Sequence, residues 1–185
     1  MANMIYTDIP GWFDYTALYD DACTRGGLMV EVGCFLGRSL VYLASNAPVG
    51  ASVVGVDHGG VGYALHAEFV AKKGGTLIPT LLQNLTECGV YPEKVSLIVA
   101  PSIAAAKLFG DSTIDFLFID ADHACEAVLA DIIAWRSKVK PGGMIAGHDY
   151  KNPDHPGVEE AVTSYFGSGV CTSRFAPSCW EYRTP

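Results

Sequence analysis

Short apolar runs rich in β-branched and aromatic residues recur along the chain, each followed by a glycine-bearing or polar turn and then by residues at helical spacing. Leu28-Met29-Val30-Glu31-Val32 runs through Gly33-Cys34-Phe35-Leu36-Gly37-Arg38 into Ser39–Ala44, which predicts a strand, a tight turn and a helix. Pro48-Val49-Gly50 breaks that helix, and Ser52–Asp57 predicts a second strand ending in an acid. Past the loop His58–Gly62, Ala64–Lys73 and Ile78–Cys88 read as helices separated by Gly74-Gly75. Val95–Val99 predicts the third strand, Ile103–Phe109 a short helix, and Ile114–Asp120 a nearly all-apolar fourth strand of the kind buried in the middle of a parallel sheet. Glu126–Val139 follows as a helix, Pro141-Gly142-Gly143 as a turn, and Met144–Gly147 as the fifth strand. Asn152–Pro156 reads as a loop, Val158–Phe166 as a helix, and Gly169–Arg183 as two short edge strands.

Strand and helix alternate, so the expected fold is α/β: a Rossmann-like, doubly wound, mostly parallel sheet with helices on both faces. Residues 1–185 are expected to form one domain, with 28–185 as the core and 1–27 as an N-terminal segment. That segment carries Tyr6, Trp12, Phe13, Tyr15 and Tyr19, and two readings of it stand. It is a helix packed on the sheet, where most aromatics go, or a cap whose rings wall a cleft.

Composition narrows the partners. A net charge of −8 and a pI near 4.9, with lysines and arginines scattered singly, leave no basic stripe for nucleic acid and no attraction to an anionic membrane. No basic leader precedes an apolar run and no stretch is long enough to span a bilayer, so a cytoplasmic protein is expected. Cys23, Cys34, Cys88, Cys125, Cys171 and Cys179 form no CxxC pair, which favours reduced thiols over disulfides or a zinc site.

Candidate chemistry gathers where strands end. Glu31, Asp57, Ser102, Asp120, Asp122, His123, His148 and Asp149 all fall at or just past the carboxyl ends of predicted strands, which share one edge of the sheet. Taken singly, each has a structural explanation; Asp120 or Asp122 can cap the following helix. Two ionisable clusters on neighbouring strands are harder to explain that way, because desolvating grouped charges is costly unless a ligand or metal offsets it.

Val30-Glu31-Val32-Gly33-Cys34-Phe35-Leu36-Gly37-Arg38-Ser39 resembles the first motif of class I S-adenosylmethionine (SAM)-dependent methyltransferases, most nearly the catechol and caffeoyl-CoA O-methyltransferase-like branch. The resemblance continues through Asp57, Ile119-Asp120-Ala121-Asp122-His123 and Lys140-Pro141-Gly142-Gly143 to Asp149-Tyr150. It implies a seven-stranded sheet with a reversed C-terminal hairpin. It also implies a SAM site in which Gly33, Phe35 and Gly37 form the turn against the methionine portion. Ser39 would bind the carboxylate and Glu31 would lie beside the amino acid portion. Asp57, with His58 next to it, would take the ribose hydroxyls, and Ser102 and Ile103 would flank the adenine, with Asp120 completing the set. On the acceptor side it implies a divalent cation, Mg²⁺ or Mn²⁺, at Asp120, His148 and Asp149. The imidazole suits Mn²⁺ and its neighbours better than Mg²⁺. Against the metal stands a hydrogen bond from His148 to a neighbouring carboxylate. His123 occupies the place of the branch's basic lysine, and an imidazole of ordinary pKa ~6.5 can take a hydroxyl proton. Catalysis is thus assigned to His123 and Asp120.

The implied reaction is methyl transfer to a hydroxyl of a small molecule: a phenol, a diol or a sugar. Two alternatives stay open. One is a catalytically silent SAM-binding partner protein. The other is an NAD(P)-dependent oxidoreductase, against which Phe35 stands where GxGxxG requires its second glycine. A homodimer is also left open.

Overall fold

Each apolar run pairs with the next through its backbone, and the order of pairing decides where the functional residues meet. In the computed structural model, residues 4–60, 70–72 and 74–185 are described. The strands are β1 (Leu28–Val32), β2 (Ser52–Asp57), β3 (Val95–Val99), β4 (Ile114–Ile119), β5 (Val139–Gly147), β6 (Cys171–Thr172) and β7 (Trp180–Arg183). They form one sheet in the order β3-β2-β1-β4-β5-β7-β6. The first five run parallel, and β7 lies antiparallel to both β5 and β6. The described helices are α1 (Thr16–Arg25), α2 (Arg38–Asn46), α3 (Ile78–Glu87), α4 (Ser102–Ala106), α5 (Cys125–Trp135) and α6 (Pro156–Phe166). The helix expected at Ala64–Lys73 lies outside the described residues apart from 70–72.

Strand periodicity sorts the core into two layers. Met29, Phe116 and Phe118 face one side of the sheet with α1, α2 and α3; Val30, Val32, Leu117 and Ile119 face the other with α4, α5 and α6. Full burial of side chains such as Phe118 and Leu117 is worth about 1.5–3 kcal/mol each. That is why β1 and β4 tolerate almost no polar residue.

Most boundaries move by a residue or two, and three departures from the sequence reading are larger or change an element's type. The helix after β4 stops at Trp135, a 3-10 turn covers Arg136–Lys138, and Val139 already pairs with Ile114. The expected turn Pro141-Gly142-Gly143 lies inside β5 as a bulge, because the β4 register jumps from Ile114↔Val139 to Phe116↔Met144. The short helix begins at Ser102 and ends at Ala106.

The order of strands turns around between β1 and β4, and the crevice at that switch point is where such sheets take ligands. The chain leaves β1 at Gly33, which has φ 89°, and a Cβ there would collide with the backbone carbonyl of Asp120. Glycine is required at 33 for the close approach of the two strand ends. At Gly37, also φ 89°, a Cβ would press within 2.8 Å of Leu81 on α3. Packing therefore explains both glycines before any ligand is considered. No helix among the described residues is long and apolar enough to cross a membrane.

Candidate active site

The carboxyl edge of the sheet opens into a cleft of about 1520 Å³ whose walls bring together residues from β1, β2, β4, β5 and both ends of the chain. Gly33, Phe35, Ser39, Asp57, His58, Ser102, Ile103, Asp120, His123, His148 and Asp149 line it; Glu31 and Gly37 do not.

Asp57 organises the glycine turn. Its Oδ2 accepts the backbone N–H of Cys34 (2.8 Å) and of Phe35 (3.0 Å), and its Oδ1 accepts that of Gly59 (2.7 Å). The carboxylate at the end of β2 thus holds the turn after β1 in shape, with Phe35 forced to φ 49°, a conformation costly for a residue with a Cβ. Phe35 packs against Trp12 at 6.4 Å between ring centroids.

Glu31 is 1% exposed, with Oε1 accepting from Ser39 (2.8 Å) and Oε2 from Tyr19 (2.8 Å). Burial pushes its carboxyl up to about 8 against the opposing pull of those two hydrogen bonds. The Ser39 hydroxyl, which also lines the cleft, is thus engaged on its inner side by Glu31. Its neighbour Arg38 carries no site signal in the sequence, since its role depends on the segment around Gly11 that packs against it. Arg38 Nη1 donates to the Gly11 carbonyl (2.8 Å), while its Nε is buried with no partner. An orphaned cationic donor at the start of α2, in the wall of the cleft, fits an anionic ligand group.

At the opposite end of the cleft, Ile103 is 48% exposed and offers an apolar flank. The Ser102 hydroxyl accepts from Trp135 Nε1 (2.8 Å). Asp131, also unforeseen, is 6% exposed on α5 and lines the cleft; burial raises its carboxyl, with a Ser102 hydrogen bond opposing.

The acceptor side holds the second cluster. His123 Nε2 lies 2.8 Å from Asp149 Oδ2 and 3.8 Å from Asp120 Oδ1. His148 Nδ1 lies 3.3 Å from Asp149 Oδ2 and 3.9 Å from Asp120 Oδ2. Burial alone would disfavour charge on either imidazole, but Asp120 and Asp149 override it, taking His123 up to about 10 and His148 to about 9. Asp149, which burial would raise, is held well below the usual carboxylate range by hydrogen bonds from His123 and His148. The ordinary imidazole pKa expected for His123 is thus corrected: without a cation its two carboxylate neighbours keep it protonated at neutral pH. Asp120, His148 and Asp149 place one ligand atom each within 4.8 Å of one another, a spacing that suits a single cation. Asp122 instead accepts the Ala124 N–H (2.8 Å) at the entry to α5.

Both readings of the N-terminal segment apply, to different residues. Tyr15, Leu18, Tyr19 and Ala22 are buried against the sheet, while Gly11, Trp12, Asp14 and Tyr15 line the cleft. Asp14 Oδ1 lies 3.3 Å from His148 Nε2 and accepts from Ser178 (2.9 Å). Tyr15 stacks on Phe118 and donates to Asp120 Oδ2 (3.3 Å). Asp14 thus sits at the far nitrogen of His148, whose Nδ1 faces Asp149 and Asp120. No local signal marks Asp14, because its partner lies 134 residues away in sequence.

The sequence matches the model of a family described as a methyltransferase domain over residues 30–150. Three solved structures share its fold. The O-methyltransferase NovP is 17% identical, with 92% of this chain and 79% of that chain covered and a TM-score of 0.71. TomG from Streptomyces achromogenes, an O-methyltransferase involved in tomaymycin synthesis and solved with SAM, is 17% identical over 96% and 83% of the two chains, with a TM-score of 0.65. The calicheamicin methyltransferase CalS11 is 20% identical over 90% and 77%, with a TM-score of 0.66.

Proposed function

The chain belongs to the methyltransferase-domain family and is a SAM-dependent methyltransferase, and we propose that it methylates a hydroxyl oxygen of an uncharged small molecule with the help of a divalent cation. The observation that carries this reading is the meeting of two separate clusters across one crevice: the Asp57-bound turn at the end of β1, and Asp120, His123, His148 and Asp149 at the ends of β4 and β5.

Arg38 and the N-terminus of α2 suit the carboxylate of the cofactor, and the outward lone pairs of Ser39 suit its ammonium group. After its three backbone bonds Asp57 keeps one of about four lone-pair sites for a ribose hydroxyl. Ile103 and Ser102 bracket a flat ring, with the Asp131 carboxyl facing the same space. Bound there, SAM supplies an electrophilic methyl group on sulfur. When present, a cation supplies a Lewis acid that lowers the pKa of the acceptor hydroxyl. The carboxylates of Asp120 and Asp149 that hold a proton on His123 are the same groups that serve as ligands. With a cation held there, the two carboxylates would favour a proton on His123 less, leaving it nearer the neutral form required of a base. His123 then receives the acceptor's proton, and the cleft walls align oxygen and methyl for in-line attack.

The acceptor side argues for an uncharged diol, phenol or sugar. Asp14, Asp122, Asp149 and Asp154 line it, and Lys151 is the only lysine of the lining among the described residues, an arrangement hostile to a phosphate. The silent-partner reading draws on the protonated His123, and a transfer assay separates it from the catalytic one. Calorimetric titration with SAM is expected to show one site per chain, and Arg38→Ala is expected to weaken it roughly 10- to 100-fold, the loss of one charge-assisted hydrogen bond. Labelled SAM with a panel of phenols, diols and sugars is expected to give chelator-sensitive transfer. Heat on adding NAD(P) and none on adding SAM would overturn the reading; binding without transfer to any acceptor would favour the silent partner.

A further inference from the structure

His155 has no part in the chemistry above, yet the fold delivers it to the same place. Its ring stacks on that of His123, with centroids 4.1 Å apart and planes 21° from parallel. His123, Asp149 and His155 each offer one ligand atom within 4.8 Å of the others. Two features of the backbone hold this arrangement. Asn152 bonds Asp149 Oδ1 through its side chain (2.6 Å) and accepts the His155 N–H through its carbonyl (3.0 Å), tying the loop after β5 into a tight turn. Gly157, at the start of α6, lies so close to the His123 carbonyl that an added Cβ would come within 2.7 Å of it. A glycine there lets the loop carrying His155 press onto the loop carrying His123.

We propose that His123, Asp149 and His155 form a second metal site, selective for Zn²⁺ and similar borderline cations, that shares Asp149 with the first. The donor sets differ in the way that sorts metals. Asp120, His148 and Asp149 offer two carboxylates and one imidazole, whereas His123, His155 and Asp149 offer two imidazoles and one carboxylate. Oxygen-rich sets suit Mg²⁺ and Mn²⁺; two imidazoles with a carboxylate are a zinc set with room for water as the fourth ligand. Ligands about 2.0–2.1 Å from a tetrahedral centre stand about 3.3 Å apart. The 2.8 Å separation of His123 Nε2 and Asp149 Oδ2 needs to open only slightly, and because imidazole lone pairs lie in the ring planes, the His155 ring must turn out of its stack on His123 to bring its nitrogen to the same ion. Metal in this site uses the Nε2 lone pair of His123. The site is accordingly inhibitory, a consequence that rests on the base role of His123; the binding itself does not.

Cobalt(II) titration of the full chain, without SAM or acceptor, tests the binding apart from the catalytic reading. The expected result is one equivalent of Co²⁺ with the visible absorption of nitrogen and oxygen ligation in a low-coordinate site, displaced by Zn²⁺, besides the Co²⁺ bound at Asp120, His148 and Asp149. His155→Asn, which puts a favourable residue at the N-cap of α6 and so keeps the helix, is expected to weaken Zn²⁺ binding by at least the ~10–100-fold lost when a metal's supporting partner is removed. His155→Gln is expected to do the same. Asp120→Asn should leave Zn²⁺ binding unchanged and abolish the Mn²⁺ binding seen by electron paramagnetic resonance. Unchanged Zn²⁺ affinity in both His155 variants overturns the site. So does a sulfur-to-cobalt charge-transfer band, which would move the metal to a cysteine. Equal loss of Zn²⁺ in the Asp120 and His155 variants would mean one composite site in place of two, and overturns the separate second site.

Discussion

Asp57→Ala lowers the affinity for SAM by about 10–10²-fold, the expected cost of one charge-assisted hydrogen bond at about 1.5–3 kcal/mol. The same substitution removes the carboxylate that accepts the N–H groups of Cys34, Phe35 and Gly59. Phe35 then has less reason to stay at φ 49°, and the turn relaxes away from the shape that meets the cofactor. Asp57→Asn separates the two effects. It keeps the volume and one acceptor oxygen, so it should retain more of the turn and less of the ribose recognition. Calorimetry gives the affinities and circular dichroism the fold. If both variants bind SAM within about threefold of wild type, Asp57 is a structural tie alone and the cofactor lies elsewhere.

Glu31→Gln makes the protein more stable at pH 8 and leaves it unchanged near pH 4.5. Burial with hydrogen bonds from Ser39 and Tyr19 places the Glu31 carboxyl at about 8, against an ordinary value of 4.5. Below 4.5 both the folded and unfolded chains carry the proton, and the contribution of the group to stability is fully present. As the pH rises towards 8 the unfolded chain ionises while the folded chain resists, so that contribution is lost. Glutamine never ionises and keeps one acceptor and a donor for the two hydroxyls. The gap between variant and wild type should therefore widen from near zero to on the order of 2–4 kcal/mol across this interval. Denaturant unfolding at matched pH values gives the gap. A constant difference, or a wild type that gains on the variant as pH rises, would mean that Glu31 is ionised in the fold and solvated by some route other than Tyr19 and Ser39.

The elements most legible in the sequence were those in which one physical cause dominates. Leu28–Val32 and Ser52–Asp57 are strands in the structure with the same ends as their apolar runs, because both are buried on two faces and nothing local competes. The region from Trp135 to Gly143 was less legible. A helical pattern and a Pro-Gly-Gly turn were both present, but pairing of Val139 with Ile114 overrode the first and turned the second into a bulge. Residues with a strand-end address, such as Asp57, Asp120, His123, His148 and Asp149, were found because parallel topology sends strand ends to one edge. Arg38, Asp14, Asp131 and His155 were not, since each acquires its meaning from a partner or a space that another segment supplies.

The sequence by itself determined the alternation of strand and helix, the glycine turn and the inventory of acids and imidazoles at one edge. Those follow from local periodicity and from sterics at single residues. Only the tertiary structure decided what state those groups are in. It turned the Ser39 hydroxyl towards Glu31, left Arg38 Nε without a partner, and set Asp120 and Asp149 around His123 so that it holds a proton. Protonation and metal selectivity depend on distances of a few ångströms between side chains far apart in the chain. Such distances exist only once the sheet has closed the crevice between β1 and β4.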